Sequence, residues 1–346
     1  MVDEGVIHVA LASNECYLPG LEVTMATMAV RAVPGVRLCF HVLDGGIEDS
    51  RFEEFAGRVR RLRQDCAIMR HRLDDERGFR DVFGKRMAYK RLLLPEILHD
   101  LEFALYCDVD FLWLEDVSGL WEQRDSRLLL QATHDKAPET MEGERRWFTA
   151  HGIPFDGEQY FSTGLMLMNL RKFREDNVAP KVFSFLEGHP DVNLADQSAL
   201  NAVVPKKEVG FLASRWQVFS RDVCFTRDSD GPVAVHYAGE IPWLRRANVD
   251  MLTDMVLFWH RVNATLRGIS LWRALRLHFG ACEIIVRRMF FLFATSCLTV
   301  WLFRLALVIS RRGCYINRFG MWWRRLETPE PRKLFLHESE DCIVGA

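Results

Sequence analysis

The chain has 346 residues, which is enough for one large α/β domain with an appendage or for two small domains. Its 49% hydrophobic content and its formal net charge of -2 indicate an ordinary globular core and argue against nucleic acid as a partner. Nine cysteines are scattered singly without a Cys-x-x-Cys pair, so we expect reduced thiols, a reducing compartment and no zinc cluster.

Short apolar runs alternate with amphipathic stretches along the first hundred residues, and no secretory signal is expected at the N-terminus. Strands are predicted at residues 6–12, 36–43, 67–70 and 103–107, and helices at 18–33, 47–64 and 78–98. This alternation predicts an α/β fold with a mostly parallel sheet and helices on both faces. Ligands of such sheets bind at the carboxyl ends of the strands.

Two carboxylates follow the strand at 103–107. Asp108 and Asp110 stand two residues apart, so in an extended backbone they point to the same side. Hard oxygen ligands in this arrangement favour Mg²⁺ or Mn²⁺ bridged to a substrate's phosphates. The alternative is a strand end that turns into solvent, but the apolar run 111–114 indicates that the acids interrupt a buried segment.

The second half of the chain continues the pattern less regularly. Strands are predicted at residues 128–132, 160–170 and 233–237, with helices at 181–186 and from 193 to 201. Asp196 and Gln197 lie near the positive end of the last helix. The polar connection 134–159 is predicted to be irregular, and a connection of that length is usually functional, for example a lid.

Four motifs occur in one order: Tyr106-Cys-Asp-Val-Asp110, the run Tyr160–Leu170, Asp196-Gln197 with Asn201, and His236-Tyr-Ala-Gly239. Together they resemble the family-8 glycosyltransferases, which are retaining, metal-dependent sugar transferases, over about residues 5–245. The resemblance implies a GT-A fold, that is, a Rossmann-like, mostly parallel mixed sheet flanked by helices, which we assign to residues 1–265.

The resemblance also implies roles for individual residues. Asp108, Asp110 and His236 would hold Mn²⁺ or Mg²⁺ against the diphosphate of a UDP-sugar, and Asp196 and Gln197 would act at the donor sugar as catalytic residues. Further contacts with the nucleotide-sugar are expected from Ala12, Asn14, Tyr17, Arg91, Val109, Ser162 and Gly239. The plainer alternatives are a half-buried structural histidine at His236 and a helix-start residue at Asp196.

Three positions depart from the family pattern. Asn14-Glu15-Cys16-Tyr17 replaces the usual Asp-Asp-Asn-Tyr, and Ser162 replaces a long amide near the donor sugar. The lysine that usually follows the His-Tyr-x-Gly motif is absent, and Arg245 or Arg246 is a candidate substitute. These changes favour either an altered donor or a weakened enzyme.

The C-terminal residues 266–346 differ in composition and are assigned to a helical tail. Eleven arginines, one acid (Glu283) and many aromatic residues occur between Leu266 and Arg325. The apolar stretch 289–309 contains Arg304 and has arginines on both sides, which favours attachment to an anionic membrane interface. The alternatives are a single span and an apolar helical hairpin packed on the core.

We therefore expect a retaining, metal-dependent hexosyltransferase at the cytoplasmic face of a bacterial inner membrane. It would transfer galactose or glucose from a UDP-sugar to a glycan or glycolipid acceptor, such as a lipopolysaccharide core. One alternative is a membrane-tethered protein that binds nucleotide-sugar or glycan without catalysis. Another is a sugar nucleotidyltransferase, but that enzyme class needs a basic phosphate loop, and residues 10–20 contain no Lys or Arg.

Overall fold

The computed structural model describes residues 5–72, 86–225, 231–239, 241–243, 254–277 and 284. These residues divide into two units, the first ending at Gln217 and the second beginning at Val218. The domain boundary after residue 265 stays a prediction.

The strands of the described residues are β1 (Val6–Ser13), β2 (Arg37–Asp44), β3 (Ala67–Arg72), β4 (Phe103–Cys107), β5 (Phe111–Trp113), β6 (Leu130–His134), β7 (Phe161–Asn169), β8 (Val209–Phe211), β9 (Val218–Phe219) and β10 (Ala234–His236). The α-helices are α1 (Leu18–Arg31), α2 (Asp49–Leu62), α3 (Leu94–Ile97), α4 (Ser118–Trp121), α5 (Pro138–Ala150), α6 (Leu170–Glu175), α7 (Val178–Gly188), α8 (Asp196–Val203), α9 (Asp254–Leu266) and α10 (Leu271–Arg276). Short 3₁₀ helices occur at Glu15–Tyr17, Arg86–Leu93, Gly157–Gln159, Lys206–Glu208, Ser214–Trp216 and Ser220–Phe225.

Seven strands of the first unit form one sheet in the order β3-β2-β1-β4-β7-β6-β8. β1 pairs in parallel with β2 and β4, β2 with β3, and β6 with β8, whereas β7 runs antiparallel to both β4 and β6. The predicted α/β class and the mostly parallel mixed sheet flanked by helices are therefore confirmed.

The central strands carry near-continuous apolar runs because helices cover them. Ala10, Tyr106 and Met166 on one face of the sheet belong to a buried cluster that includes Val182 of α7 and Leu200 of α8. Burial of each large apolar side chain contributes roughly 1.5–3 kcal/mol to folding. This packing holds the carboxyl ends of β1 and β4 in fixed positions.

The predicted helix at residues 78–98 was wrong in its described part. Residues 86–93 form a 3₁₀ helix, and α3 follows with Pro95 in its first turn. Proline lacks a backbone N–H and its ring clashes with the preceding turn, so one continuous α-helix cannot run through this position.

The predicted irregular connection at 134–159 was also wrong, because it contains the thirteen-residue helix α5. A helix tolerates proline at its start, and α5 begins at Pro138. Glu144 in this helix is buried and accepts hydrogen bonds from the Tyr160 hydroxyl at 2.5 Å and from Asn193 Nδ2 at 2.6 Å. These two bonds tie α5 to the residues beside β7 and α8.

The second unit contains a short parallel pair, β9 and β10, and the helices α9 and α10. Tyr237 is buried, and its hydroxyl donates to the carbonyl of Met255 in α9 at 2.8 Å. Trp243 stacks on Trp259 with ring centroids 5.1 Å apart. These contacts pack the segment after β10 against α9.

Within the described ranges of the chain, no helix has both the length and the apolar character that crossing a membrane requires. The predicted attachment segment 289–309 lies outside the described residues. The interfacial tail therefore stays a prediction.

Candidate active site

Asp108 and Asp110 directly follow β4. Both are partly buried, and a carboxylate oxygen of one lies within 4.8 Å of a carboxylate oxygen of the other. Val109 between them is buried, and residues 109–110 form a turn between β4 and β5, so a turn and not the extended backbone assumed from the spacing brings the two carboxylates together. Two hard oxygen donors this close together suit Mn²⁺ or Mg²⁺.

Helix α1 is hydrogen-bonded to the backbone of this acidic segment. The buried hydroxyl of Thr24 lies 2.8 Å from the carbonyl oxygen of Val109 and 2.7 Å from that of Phe111, and it donates to them. The backbone N–H of Asp108 donates to the carbonyl of Gly164 in β7 at 2.8 Å. Because these bonds use main-chain groups, they fix the backbone from which both carboxylates project.

A buried arginine joins the two acidic parts of the site. Arg91 donates through Nη2 to Asp108 Oδ1 at 2.8 Å, and its Nε lies 3.2 Å from Asp196 Oδ2. Its Nη1 donates to the carbonyl of Thr163, and the guanidinium carbon lies 4.3 Å from the centre of the Tyr106 ring. The side chain of Arg91 therefore connects the end of β4 with β7 and α8.

Electrostatics keep this network charged. Burial opposes the charge of Arg91, but the carboxylates of Asp108 and Asp196 outweigh it and raise the pKa of the guanidinium. The hydroxyl of Tyr106 donates to Asp108 Oδ1 at 2.8 Å. Burial, together with the charge of Asp108, holds the pKa of Tyr106 well above its usual value, so the phenol stays a neutral donor.

Asp196 and Gln197 form the first turn of α8. The preceding Ala195 has φ 53° and ψ -124°, a backbone conformation that residues other than glycine rarely adopt. Gln197 Oε1 accepts from the backbone N–H of Thr163 at 3.1 Å, and Gln197 Nε2 donates to Asp135 Oδ2 at 3.0 Å. Both ends of the Gln197 amide are therefore held in one orientation.

Asp135 is a site residue that the sequence analysis missed. It is buried directly after β6, accepts from Gln197 and also accepts from the backbone N–H of Ala137 at 3.2 Å. Its position just beyond an apolar strand, like that of Asp108, could have identified Asp135 as a candidate site residue. Its assignment to an irregular connection hid that signal.

Ser162 and Asn201 hold the start of β7. Ser162 is buried, and its hydroxyl accepts from Gln217 Nε2 at 2.7 Å. The amide of Asn201 accepts from the backbone N–H of Phe161 at 3.0 Å and donates to its carbonyl at 2.9 Å. A hydroxyl at position 162 thus bonds to a neighbouring long amide, that of Gln217.

The last residues of β1 and the loop that follows it carry the predicted nucleotide contacts. Ala12 is buried two residues beyond Ala10, which pairs with Tyr106, so Ala12 and Asp108 occupy equivalent places at the ends of neighbouring strands. Asn14 Oδ1 accepts from the backbone N–H of Tyr17 at 3.3 Å and caps the 3₁₀ helix. The role of Tyr17 in nucleotide binding stays a prediction.

The predicted residues of the second unit are His236 and Gly239. His236 is the last residue of β10, is buried, and stacks on the ring of Phe219 with centroids 5.5 Å apart. Gly239 has φ 80°, a value at which a side chain would be strained. The structure of this unit places the imidazole at a strand end, and its binding of a metal stays a prediction.

The comparison with protein families gives one match over most of the chain. The family model of glycosyl transferase family 8 matches residues 8–247. This range contains all four motifs that carried the resemblance in the sequence.

Individual relatives agree with that match. General stress protein A of Bacillus subtilis (strain 168) is 24% identical over 70% of this chain and 89% of its own length. A putative glycosyltransferase of Haemophilus influenzae is 29% identical over 39% of this chain and 40% of its own length. Glucoside xylosyltransferase 1 of Danio rerio is 37% identical over 26% of this chain and 22% of its own length.

Solved structures show the same fold. The galactosyltransferase LgtC, crystallised with donor and acceptor sugar analogues, superposes with a TM-score of 0.63 at 24% identity, covering 78% of this chain and all of LgtC. The bifunctional glycosyltransferase WbbM superposes with a TM-score of 0.61 over 84% of this chain and 53% of its own. The predicted GT-A fold is confirmed by this similarity.

Proposed function

The chain belongs to glycosyl transferase family 8, and on that premise we propose that it transfers galactose or glucose from a UDP-sugar with retention at the anomeric carbon. The observation that carries this proposal is the double ion pair of Arg91. One guanidinium contacts both Asp108, a predicted metal ligand, and Asp196, predicted to act at the donor sugar. The two parts of the predicted reaction centre are thereby fixed relative to each other.

The first part would bind the diphosphate of the donor. Asp108, Asp110 and His236 would hold Mn²⁺ or Mg²⁺, and their mixed oxygen and nitrogen donors suit Mn²⁺. When bound, the ion would act as a Lewis acid that stabilises the negative charge of the departing diphosphate. Arg91 and Tyr106 support this role because both donate to Oδ1 of Asp108 and so orient its carboxylate.

The second part would act at the sugar. The bond from the anomeric carbon to the phosphate oxygen would break, and a bond to the acceptor hydroxyl oxygen would form as the proton of that hydroxyl passes to an oxygen of the departing diphosphate. The carboxylate of Asp196 would offset the positive charge that develops on the sugar. Gln197 would face the same centre, in either a front-face step or a double displacement, with its amide held by Thr163 and Asp135.

The remaining contacts would select the donor and the acceptor. Ala12, Asn14 and Tyr17 would line the uracil and ribose pocket, with Val109, Ser162 and Gly239 near the diphosphate and the sugar. The acceptor would be a glycan or glycolipid such as a lipopolysaccharide core. We place the protein at the cytoplasmic face of the inner membrane, attached peripherally through residues 266–346.

Release of UDP from a panel of UDP-sugars tests the proposal without knowledge of the acceptor. We expect slow hydrolysis of one donor with Mn²⁺, loss of that turnover with EDTA, and a loss of at least about 100-fold in Asp110→Asn. Asp100→Asn is the matched control, because Asp100 is a surface carboxylate with a side chain 86% exposed. Its turnover should equal that of the wild type.

Two other outcomes separate the alternatives. Mn²⁺-dependent UDP binding without turnover of any donor would leave either a transferase that needs its acceptor for turnover or the non-catalytic binder, which the missing lysine and the Ser162 change motivate. Absence of UDP binding in the wild type would exclude the UDP-sugar donor.

A further inference from the structure

A second group of metal-ligating side chains lies on β1 and β2, away from the acidic pair. His8 stands opposite Cys39 in the parallel register of the two strands, and His41 follows Cys39 by two residues on the same face. One ligand atom from each of these three side chains lies within 4.8 Å of the other two. The sequence analysis argued against a zinc cluster, because it did not foresee that the sheet brings a lone cysteine beside two histidines.

Hydrogen bonds orient the histidine rings. His8 Nδ1 lies 3.0 Å from His41 Nε2, and His41 Nδ1 lies 3.1 Å from His71 Nε2 on β3. The ring centroids of both pairs are 5.3 Å apart. His41 therefore turns Nε2 toward His8 while its other nitrogen contacts His71.

The ring nitrogen of His41 that faces away from His8 also has a partner, because Nδ1 lies 3.1 Å from His71 Nε2. A metal-binding histidine usually donates its second N–H to a nearby acceptor, and His71 Nε2 is placed to accept it.

We propose that Cys39 Sγ, His8 Nδ1 and His41 Nε2 bind a thiophilic divalent cation of the Zn²⁺ class. Binding replaces the hydrogen bond between His8 and His41 and releases the thiol proton of Cys39. The imidazole protons then occupy His8 Nε2 and His41 Nδ1, and the latter is donated to His71. One thiolate and two imidazoles are the donors that Zn²⁺ prefers, and water completes a tetrahedral site.

The site would cross-link β1 and β2 and is separate from the donor site. His8 precedes Ala12 by four residues of β1, which corresponds to roughly 13 Å at about 3.3 Å per residue. Its occupancy therefore does not depend on the function proposed above, and failure of either proposal leaves the other intact.

Titration of the full-length, metal-free protein with Co²⁺ tests the proposal, because a cobalt–thiolate bond gives a charge-transfer band that carboxylate ligands do not. We expect the band in the wild type and in Asp110→Asn, and its loss in Cys39→Ser. Cys16→Ser is the matched control, since Cys16 is exposed and outside the cluster. Absence of the band in the wild type, or its persistence in Cys39→Ser, overturns the proposal.

A second measurement uses the wild type alone and so does not depend on the folding of a variant. Zn²⁺ at ten times its Kd should slow alkylation of Cys39 about tenfold and leave Cys16 unaffected. A third measurement compares variants: His71→Asn should weaken Zn²⁺ binding about 10–100-fold, whereas His99→Asn, at an exposed site, should not. Equal alkylation of Cys39 with and without Zn²⁺ excludes the site.

Discussion

Arg91 carries a buried positive charge between two carboxylates. Its side chain is 4% exposed, so water contributes little to stabilising the charge. The carboxylates of Asp108 and Asp196 stabilise it instead. A buried ion pair of this kind is costly to break, because removing one partner leaves uncompensated charge in the interior.

We predict that Arg91→Ala lowers the free energy of unfolding by about 3–5 kcal/mol, because Asp108 and Asp196 lose their common cation. Arg91→Lys should lose less stability but most of the UDP release, since one ammonium cannot reproduce the forked contacts of a guanidinium. Urea denaturation and donor hydrolysis measure the two effects.

Arg127→Ala is the control for this substitution. Arg127 pairs with Asp125 on the surface, with its side chain 87% exposed, and such pairs contribute little. If Arg127→Ala lost as much unfolding free energy as Arg91→Ala, burial of the ion pairs of Arg91 would not explain the effect of that substitution.

Lys206 gives a prediction about pH. Its ammonium donates to the carbonyl of Asn201 at 2.8 Å, and burial lowers its pKa from 10.5 to about 8. The folded state therefore disfavours the charged form, and this penalty is fully present below pH 8 and disappears as pH rises toward 10.5.

Between about pH 8 and 10.5, the unfolding free energy of the wild type should rise relative to that of Lys206→Met. The exposed neighbour substitution Lys207→Met should follow the wild type across the same range. Chemical denaturation at several pH values measures the difference, and parallel curves for wild type and Lys206→Met would refute the assignment.

At the scale of elements, α1 positions the acidic segment through the hydrogen bonds of the Thr24 hydroxyl. Thr24→Val keeps the shape of the side chain but leaves the buried carbonyls of Val109 and Phe111 without this donor. We predict a stability loss of about 1–3 kcal/mol and reduced metal-dependent UDP release.

The matched control is Thr149→Val, at an exposed position of α5. Its stability and turnover should equal those of the wild type. Wild-type turnover in Thr24→Val would show that α1 does not position the acids.

The sequence predicted the elements that carry continuous apolar runs. β1, β2 and β4 are such runs, because helices bury both faces of a parallel sheet, and their acidic or polar ends mark the site. α5 was missed because its stabilising contact, buried Glu144, pairs with residues distant in sequence, Tyr160 and Asn193.

The same reason limits what the sequence says of the site. Asp108 and Asp110 are only two residues apart in the chain, so their closeness in space was foreseeable from spacing alone. The bond from Gln197 to Asp135 spans separate elements, and neither residue type indicates the partner. Tertiary packing, not local pattern, determines such pairs.

At the scale of the whole molecule, the predicted tail makes membrane attachment testable. We expect removal of residues 285–346 to abolish sedimentation with vesicles containing anionic lipid and to leave UDP release unchanged. Each arginine near an anionic surface contributes about 1 kcal/mol, so replacing Arg311 and Arg312 by Gln should weaken binding about 30-fold.

Vesicles of neutral lipid provide the control, since interfacial attachment by arginine requires negative surface charge. High salt should release a peripherally bound protein. Retention until detergent is added would favour the single span instead.

The backbone conformation of Ala195 affects which amino-acid substitutions this position can accept. Its φ of 53° with ψ of -124° is a conformation that glycine would adopt with less strain. A glycine there would therefore tend to stabilise the fold, yet it would also free the chain just before Asp196 and Gln197. Selection for stability and selection for accurate placement of Asp196 and Gln197 would thus act in opposite directions on the methyl group of Ala195.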